Sequence, residues 1–234
     1  MRTIARPLAS LALVTLTNSG WAQNAVQNST FEATLVPWEG IASAAPDPVA
    51  TGTAVWTNAR NLDNMPTGSG ASDTTLAADV QGANAWFGIR QCVVLPSAPV
   101  AITEASYEGG FLAPATGNPS DGLANVTVEI RFFSDTTCTT FVSGAGGSQG
   151  ADLTPALLSD TQWYTIGDPQ FLPPGASITA SSAEVKAYVR TVGTTSNAYR
   201  LYFDQIILSV NTPVDVDLVF KNGFEVPRRH WEIE

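Results

Sequence analysis

The chain has 234 residues, with 21 acidic and 11 basic side chains and a formal net charge of −10. This balance argues against a nucleic-acid partner, because binding to nucleic acid depends on clustered Lys and Arg side chains that release counterions. Nineteen Gly and 15 Pro residues disfavour long helices, and the length suits one all-β domain with a short tail.

The first 22 residues have the pattern of a secretory signal peptide. Arg2 and Arg6 precede an apolar run, and the small residues Gly20 and Ala22 precede a cleavage point after Ala22. No apolar run in the chain is long enough for a membrane helix. We therefore expect a soluble protein exported to the periplasm or the extracellular space. Nine basic and 21 acidic residues would remain, for a net charge of −12.

Alternation of apolar and polar side chains predicts many short strands, most clearly over 126–133 and 184–190. Further strands are predicted at Thr53–Thr57, Ala85–Leu95, Val100–Tyr107, Trp163–Ile166 and Tyr199–Val210. Gly-rich and Pro-rich stretches at 114–122 and 143–152 are predicted as turns between strands. This pattern favours an antiparallel β-sandwich.

The segment 41–83 is the least regular part of the chain, and we expect one or two short strands within it, at Ala54–Trp56 and Thr75–Ala78. The domain is predicted to run from residue 23 to 210. Residues 211–234, which contain VFKNGFE at 219–225, are interpreted as a linker and C-terminal tail of unassigned role.

Two cysteines, Cys92 and Cys138, occur in this exported chain. An even count in an oxidising compartment favours a disulfide, and two cysteines allow only one pairing. A zinc site is disfavoured, because the single histidine, His230, lies in the tail. We expect a structural Cys92–Cys138 bridge in a monomeric protein.

One acid interrupts the apolar strand LYFDQIILSV at 201–210, namely Asp204. A buried carboxylate without a partner costs several kcal/mol. Asp204 must therefore face water or have a partner elsewhere in the chain.

Three segments carry a resemblance to a known family: NAVQNSTFEATLVPWEG at 24–40, QCVVLPSAPVAITEASYEGGF at 91–111 and YRLYFDQIILSV at 199–210. They resemble the jelly-roll carbohydrate-binding modules of the galactose-binding-like superfamily. Members often begin with Asn-x-x-Phe-Glu followed by a Trp, and typically close with an aromatic-x-Asp-Asp-x-x-Leu strand. This chain departs from the pattern at Gln205, which replaces the second closing acid, and at Asn28-Ser-Thr, where a Gly is common.

The resemblance implies a jelly roll whose first and last strands are neighbours, with a structural calcium ion between them. Its ligands here would be Glu32 and Asp204, completed by backbone carbonyls, which suits the preference of calcium for oxygen. The alternative is that Asp204 caps a bulge or accepts bonds from backbone amides, and that Glu32 is an ordinary edge-strand acid.

The resemblance also implies that carbohydrate is the ligand, held by an aromatic ring and a few polar side chains. The outward positions of two predicted strands and one Gly-flanked Trp are the candidates for this groove: Trp86, Glu129, Arg131, Lys186, Tyr188 and Arg190. The alternative is a solvated face with cross-strand ion pairs. The remaining tryptophans of the strand region are expected to serve packing: Trp38, Trp56 and Trp163.

No catalytic motif is present in the domain. The only histidine is in the tail, which excludes a Ser-His-Asp triad from the domain, and no phosphate loop or G-x-S-x-G elbow occurs. A glycosidase would need two carboxylates facing each other in a cleft, which sequence does not reveal. We expect a non-catalytic binding module, the alternative being an adhesion or structural protein with no small-molecule ligand.

Overall fold

The computed structural model describes residues 24–62, 67–78, 82–172 and 175–211. These residues form 12 β-strands and no helix. The strands are β1 Glu39–Ala42, β2 Gly52–Thr57, β3 Ala71–Leu76, β4 Trp86–Val94, β5 Val100–Ile102, β6 Ala105–Leu112, β7 Ala124–Phe133, β8 Phe141–Asp152, β9 Tyr164–Asp168, β10 Ile178–Ala180, β11 Ser182–Thr191 and β12 Tyr199–Val210. Among these residues, no helix is long and apolar enough to cross a membrane.

Ten of the strands form two five-stranded antiparallel sheets. Sheet I has the order β1-β4-β11-β7-β8, and sheet II has the order β2-β3-β12-β6-β9. The two remaining strands, β5 and β10, pair with each other. The predicted all-β sandwich of the jelly-roll type is therefore confirmed.

The core lies between the two sheets, where alternate residues of each strand meet. The apolar positions of β7 and β12 are fully buried there: Val126, Val128, Ile130, Phe132, Leu201, Phe203, Ile206 and Leu208. Because side chains alternate across a strand, the intervening residues of β7 and β11 lie on the outer face of sheet I. Of the tryptophans expected to serve packing, Trp38 and Trp163 are buried and Trp56 is partly buried.

A β-bulge in β12 changes which residues face the core. The register with β6 shifts between Asp204 and Ile207, and Gln205 has a φ of 49°. The core-facing residues are Leu201 and Phe203 before the bulge and Ile206 and Leu208 after it. The extra residue shifts the alternation of side chains, whose period along a strand is two, by one position. Asp204 alternates with the inward-facing Leu201 and Phe203, so it lies on the outer face of sheet II, immediately before the bulge.

Two predictions of local structure are wrong. Residues 143–152 are not a turn but most of β8, which pairs with β7 from Asn125↔Asp152 to Arg131↔Gly146. The small residues have a packing reason, because a Cβ on Gly147 would lie 2.6 Å from the ring of Phe171. The predicted strand 100–107 is two strands, of which β5 pairs with β10 and β6 joins sheet II.

The irregular segment 41–83 contains β2 and β3 and the end of β1. The N-terminal residues lie beside β12, as the resemblance implied: the amide of Ala25 donates to the carbonyl of Leu208, and the amide of Leu208 donates to the Asn24 side chain. The predicted signal peptide (1–22) and most of the predicted tail (211–234) lie outside the described residues.

Candidate functional site

A groove of about 680 Å³ crosses the outer face of sheet I. Its lining comes from β7, β8 and β11, from Trp86 at the start of β4, and from Asp47 and Asn84 in two preceding loops. We refer to this feature as the groove.

All six residues predicted for a ligand groove line it: Trp86, Glu129, Arg131, Lys186, Tyr188 and Arg190. They meet because β11 lies between β4 and β7. Lys186 is paired with Arg90 on one side and with Glu129 on the other, and Arg190 is paired with Trp86. Directly paired residues on one face of a sheet have Cβ atoms close enough for side-chain contact.

An ion-pair network covers the middle of this face. The Lys186 ammonium lies 3.0 Å from Glu184 Oε1 and 3.5 Å from Glu129 Oε1, and the three side chains are only 7–12% exposed. Arg131 also pairs with Glu129, and Arg90 pairs with Glu39 and Glu184. The alternative interpretation was a solvated face with cross-strand ion pairs. The ion pairs are present, but the side chains at the centre of the face are shielded from solvent.

Two aromatic rings lie side by side at the groove. The ring centroids of Trp86 and Tyr188 are 5.0 Å apart with an interplanar angle of 41°, and the Lys186 ammonium lies 5.6 Å from the Trp86 ring centroid. Gly88 is opposite Tyr188, and a Cβ there would lie 2.3 Å from the Cβ of Tyr188. A larger residue than Gly at position 88 would therefore push Tyr188 away from β4.

The Tyr188 hydroxyl is held by an acid of the network, because it donates to Glu129 Oε2 over 2.9 Å. Burial, followed by the charge of Glu129 and this hydrogen bond, raises the pKa of Tyr188 above its ordinary value. Tyr188 is therefore neutral at physiological pH, and its ring orientation is fixed by Glu129.

The loop of the β7–β8 hairpin is tied to β4 within the same sheet. The predicted Cys92–Cys138 disulfide is present, with a Cα–Cα distance of 6.0 Å, and it joins β4 to the hairpin loop across β11. Asp135 orders that loop by accepting hydrogen bonds from Thr137, Thr139 and Thr140. Desolvation raises the pKa of Asp135, but these bonds together outweigh it and hold that pKa well below its usual range.

Sequence reasoning missed part of the lining. Asp47 and Asn84 come from irregular loops, and Phe141, Gly146 and Ser148 come from β8. A signal for β8 was available, since residues 141–152 follow β7 after a short polar stretch and match it in length. Its small residues masked that signal, because Gly is depleted in strands.

The two acids predicted for calcium have different environments. Asp204 is 1% exposed, and its carboxylate accepts the amide of Gln205 over 2.7 Å and that of Leu62 over 2.9 Å. Glu32 is exposed, and its carboxylate lies 3.5 Å from the Thr30 hydroxyl. Among the described residues, no group of three His, Cys, Asp or Glu side chains could hold a metal ion. Backbone amides at the bulge are thus partners of Asp204, as the alternative interpretation proposed.

Comparisons with known proteins give similarity in fold only. No protein-family model matches the chain, and no curated protein matches it. The chain is similar to an arabinose-bound α-L-arabinofuranosidase, with a TM-score of 0.51 and 14% identity over 83% of this chain and 27% of that one. The structural similarity shows a shared fold, and at 14% sequence identity it shows nothing about the ligand.

Two further solved structures are similar. One is the enzymatically active domain of tailspike protein 4 of bacteriophage CBA120, with a TM-score of 0.49 and 14% identity over 80% of this chain and 21% of that one. The other is described as a carbohydrate-binding module of the β-sandwich superfamily, with a TM-score of 0.49 and 13% identity over 77% of this chain and 61% of that one. The chain thus spans about a fifth of the first protein and three-fifths of the second.

Proposed function

We propose that this protein is a non-catalytic carbohydrate-binding module that holds a glycan in the groove of sheet I. The observation that carries the proposal is the Trp86–Tyr188 pair beside an ordered set of charged side chains in a groove of about 680 Å³. Sugars are recognised by an aromatic surface that contacts the ring and by a few fixed polar groups that bond the hydroxyls.

The ion-pair network supports binding rather than catalysis. Glu129 and Glu184 both contact Lys186, and each also pairs with an arginine. Both oxygens of each carboxylate are engaged within the protein, whereas a general acid or base must lie within hydrogen-bond reach of the substrate. The same contacts fix side-chain positions before the ligand arrives, which lowers the entropic cost of binding.

An adhesion surface is the second candidate, and the surface composition argues against it. Protein interfaces have a core enriched in aromatic and other apolar side chains. The large exposed apolar residues of the described chain are few and scattered: Val36, Val49, Val55, Val94, Phe141 and Val192. Only Phe141 lines the groove.

The test is the loss of binding in Trp86→Ala, measured by affinity electrophoresis and calorimetry on galactan, xylan, β-glucan and pectin. One stacking contact contributes about 1 kcal/mol, so affinity should fall severalfold or more. Trp86→Phe is the matched variant that keeps a smaller ring and should lose less. Both variants must keep the melting temperature of the parent. Absence of binding to every polysaccharide would favour the adhesion or structural alternative.

We further propose a structural calcium site that uses Glu32 and Asp204, together with backbone carbonyls. The proximity of the N-terminal segment to β12 supports it, and a carboxylate that accepts two amide bonds retains lone pairs for a metal. Chelator should then lower the melting temperature and calcium should restore it, because a ligand of the folded state stabilises that state. Glu32→Gln should abolish the response while leaving the amide bonds of Asp204 intact. An identical melting curve with and without chelator would refute the site.

We also propose that the protein is exported and monomeric, with the signal peptide removed after Ala22. The Cys92–Cys138 disulfide supports an oxidising compartment. Mass spectrometry of the protein recovered outside the cytoplasm tests the cleavage, and size-exclusion chromatography with light scattering tests the oligomeric state.

A further inference from the structure

Arg190 differs from the other cations that line the groove. Arg131 and Lys186 both pair with Glu129. Arg190 makes no salt bridge with any described residue, and its buried Nε has no hydrogen-bond acceptor there. An arginine is charged at every physiological pH, and a partly buried charge without a counter-charge is costly.

In the described part of the chain, the ion pairs of the groove leave Arg190 as the cation without a paired carboxylate. Arg131, Lys186 and Arg190 line the groove together with Asp47 and Glu129, and Lys186 is also balanced by Glu184 at 3.0 Å. Among the described residues, Asp47 forms no salt bridge with Arg190. A cleft that contains an unpaired cation is suited to an anionic ligand group.

The position of Arg190 relates this charge to the aromatic pair. Arg190 on β11 is directly paired with Trp86 on β4, and both side chains line the groove. A pyranose that stacks on Trp86 with its exocyclic carbon toward β11 presents that group to the side of the groove where Arg190 lies. In a neutral hexose this group is a hydroxymethyl, and in a uronic acid it is a carboxylate.

We propose that the groove selects a uronic-acid sugar, whose carboxylate pairs with Arg190 while its ring stacks on Trp86. The inference rests on the proposed carbohydrate-binding function and specifies the class of sugar. The guanidinium presents a planar fork that matches a carboxylate with two parallel hydrogen bonds. The ligand then supplies the counter-charge that no described residue provides.

The experiment compares two pairs of oligosaccharides that differ only at the carboxyl group. One pair is tri-galacturonate and its carboxyl-reduced form, and the other is a glucuronate-branched xylo-oligosaccharide and its carboxyl-reduced form. Titration calorimetry on the full mature chain in about 0.15 M salt, where the Debye length is about 8 Å, limits repulsion by the distant acids. At least one acidic member should bind tenfold or more tightly than its neutral counterpart.

Arg190→Gln should lower the affinity for the acidic member tenfold or more, to that of its neutral counterpart, and so remove the preference. Arg200→Gln is the matched control, because Arg200 lies on the other sheet and pairs with Asp73. Equal affinity for acidic and neutral members would overturn the uronate inference and keep the proposed function. A preference that survives in Arg190→Gln would overturn the role of Arg190. Absence of binding to all four sugars would overturn both proposals.

Discussion

The two outer faces of the sandwich carry similar residue types, but the chain covers one face and leaves a groove on the other. On sheet II, Tyr202 and Trp163 pack with Ala71, Leu112 and Leu62, in a small cluster separate from the main core. The Leu62 amide also donates to Asp204. On sheet I, Trp86 and Tyr188 lie beside the groove with an ion-pair network around them.

This difference shows how to distinguish a structural aromatic from a candidate ligand platform. Tyr202 and Trp163 pack in a cluster with Leu62, which lies outside the strands, so their apolar surface stabilises the fold. Trp86 is only partly buried, and the side chains around it are charged. The contrast predicts that truncation of Trp86 lowers binding with little loss of stability, that removal of the charges around it on sheet I costs stability, and that changes on sheet II leave binding unaffected.

The largest expected effect comes from the disulfide, which ties the loop of the β7–β8 hairpin to β4 in sheet I. It has no counterpart in the described part of sheet II. The two cysteines are 46 residues apart in sequence, and closing a loop of this length contributes about 4 kcal/mol in the chain-entropy model. The double variant Cys92→Ser/Cys138→Ser should lose about this much free energy of unfolding in urea denaturation. Reductant should destabilise the parent and leave the double variant unaffected. A loss below about 1 kcal/mol would mean that the hairpin is held by other contacts.

The second largest effect is expected for Lys186→Met, which removes the cation at the centre of the sheet I network. Glu184 and Glu129 are 7% and 12% exposed, so each would lose a partner in a poorly solvated position. Removal of one partner from a buried ion pair costs about 3 kcal/mol, and urea denaturation measures this loss. Lys186→Arg is the matched variant, since it retains the charge and should lose less. Equal stability of Lys186→Met and the parent would show that the network is effectively solvated.

A smaller effect is expected for Tyr188→Phe, which removes the hydrogen bond to Glu129 and costs about 1 kcal/mol at neutral pH. Burial and Glu129 raise the pKa of Tyr188, and burial followed by Asp168 and Glu129 raises that of Tyr107 to about 12. An unfolded tyrosine has a pKa of about 10. Between pH 10 and 12 the unfolded chain loses its phenolic protons first, so the free energy of unfolding should fall as pH rises.

The stability that these two tyrosines contribute is fully present below about pH 10, the unfolded value. Urea denaturation between pH 9 and 12 should therefore give a shallower decline for Tyr188→Phe than for the parent. Tyr107→Phe is the comparison in the core between the sheets and should also flatten the curve. Parallel declines in the parent and in Tyr188→Phe would contradict the assignment.

The sequence predicted much of sheet I, because the residues that matter there lie on regular strands. The alternation in β7 and β11 identified their outward side chains correctly, and the Gly-flanked Trp86 proved to be their neighbour. Adjacent strands bring their outward polar residues together regardless of the conformation of the connecting loops. The contribution of β8 was lost, because Gly and Ser give no strand signal.

Sheet II and the groove rim were harder to predict, for two physical reasons. The bulge at Asp204 is invisible in LYFDQIILSV, since both halves of the run are apolar and only the pairing with β6 reveals the extra residue. The positions of Asp47 and Asn84 depend on how irregular loops pack, and no periodic pattern encodes this. Likewise, the absence of an acidic partner for Arg190 among the described residues follows from three-dimensional contacts and not from its place in an alternating strand.

The smallest expected effect is on sheet II, for Arg200→Gln. Arg200 pairs with Asp73, and its side chain is 51% exposed, with its guanidinium 5.1 Å from the Tyr202 ring centroid. Exposed ion pairs contribute less than about 1 kcal/mol. The apolar residues packed against Tyr202 keep its ring in place without Arg200. The free energy of unfolding should therefore fall by about 0.5 kcal/mol or less, and glycan affinity should not change. A loss above about 2 kcal/mol would mean that the covered face depends on its charges as strongly as the groove does, and the distinction between the two faces would fail.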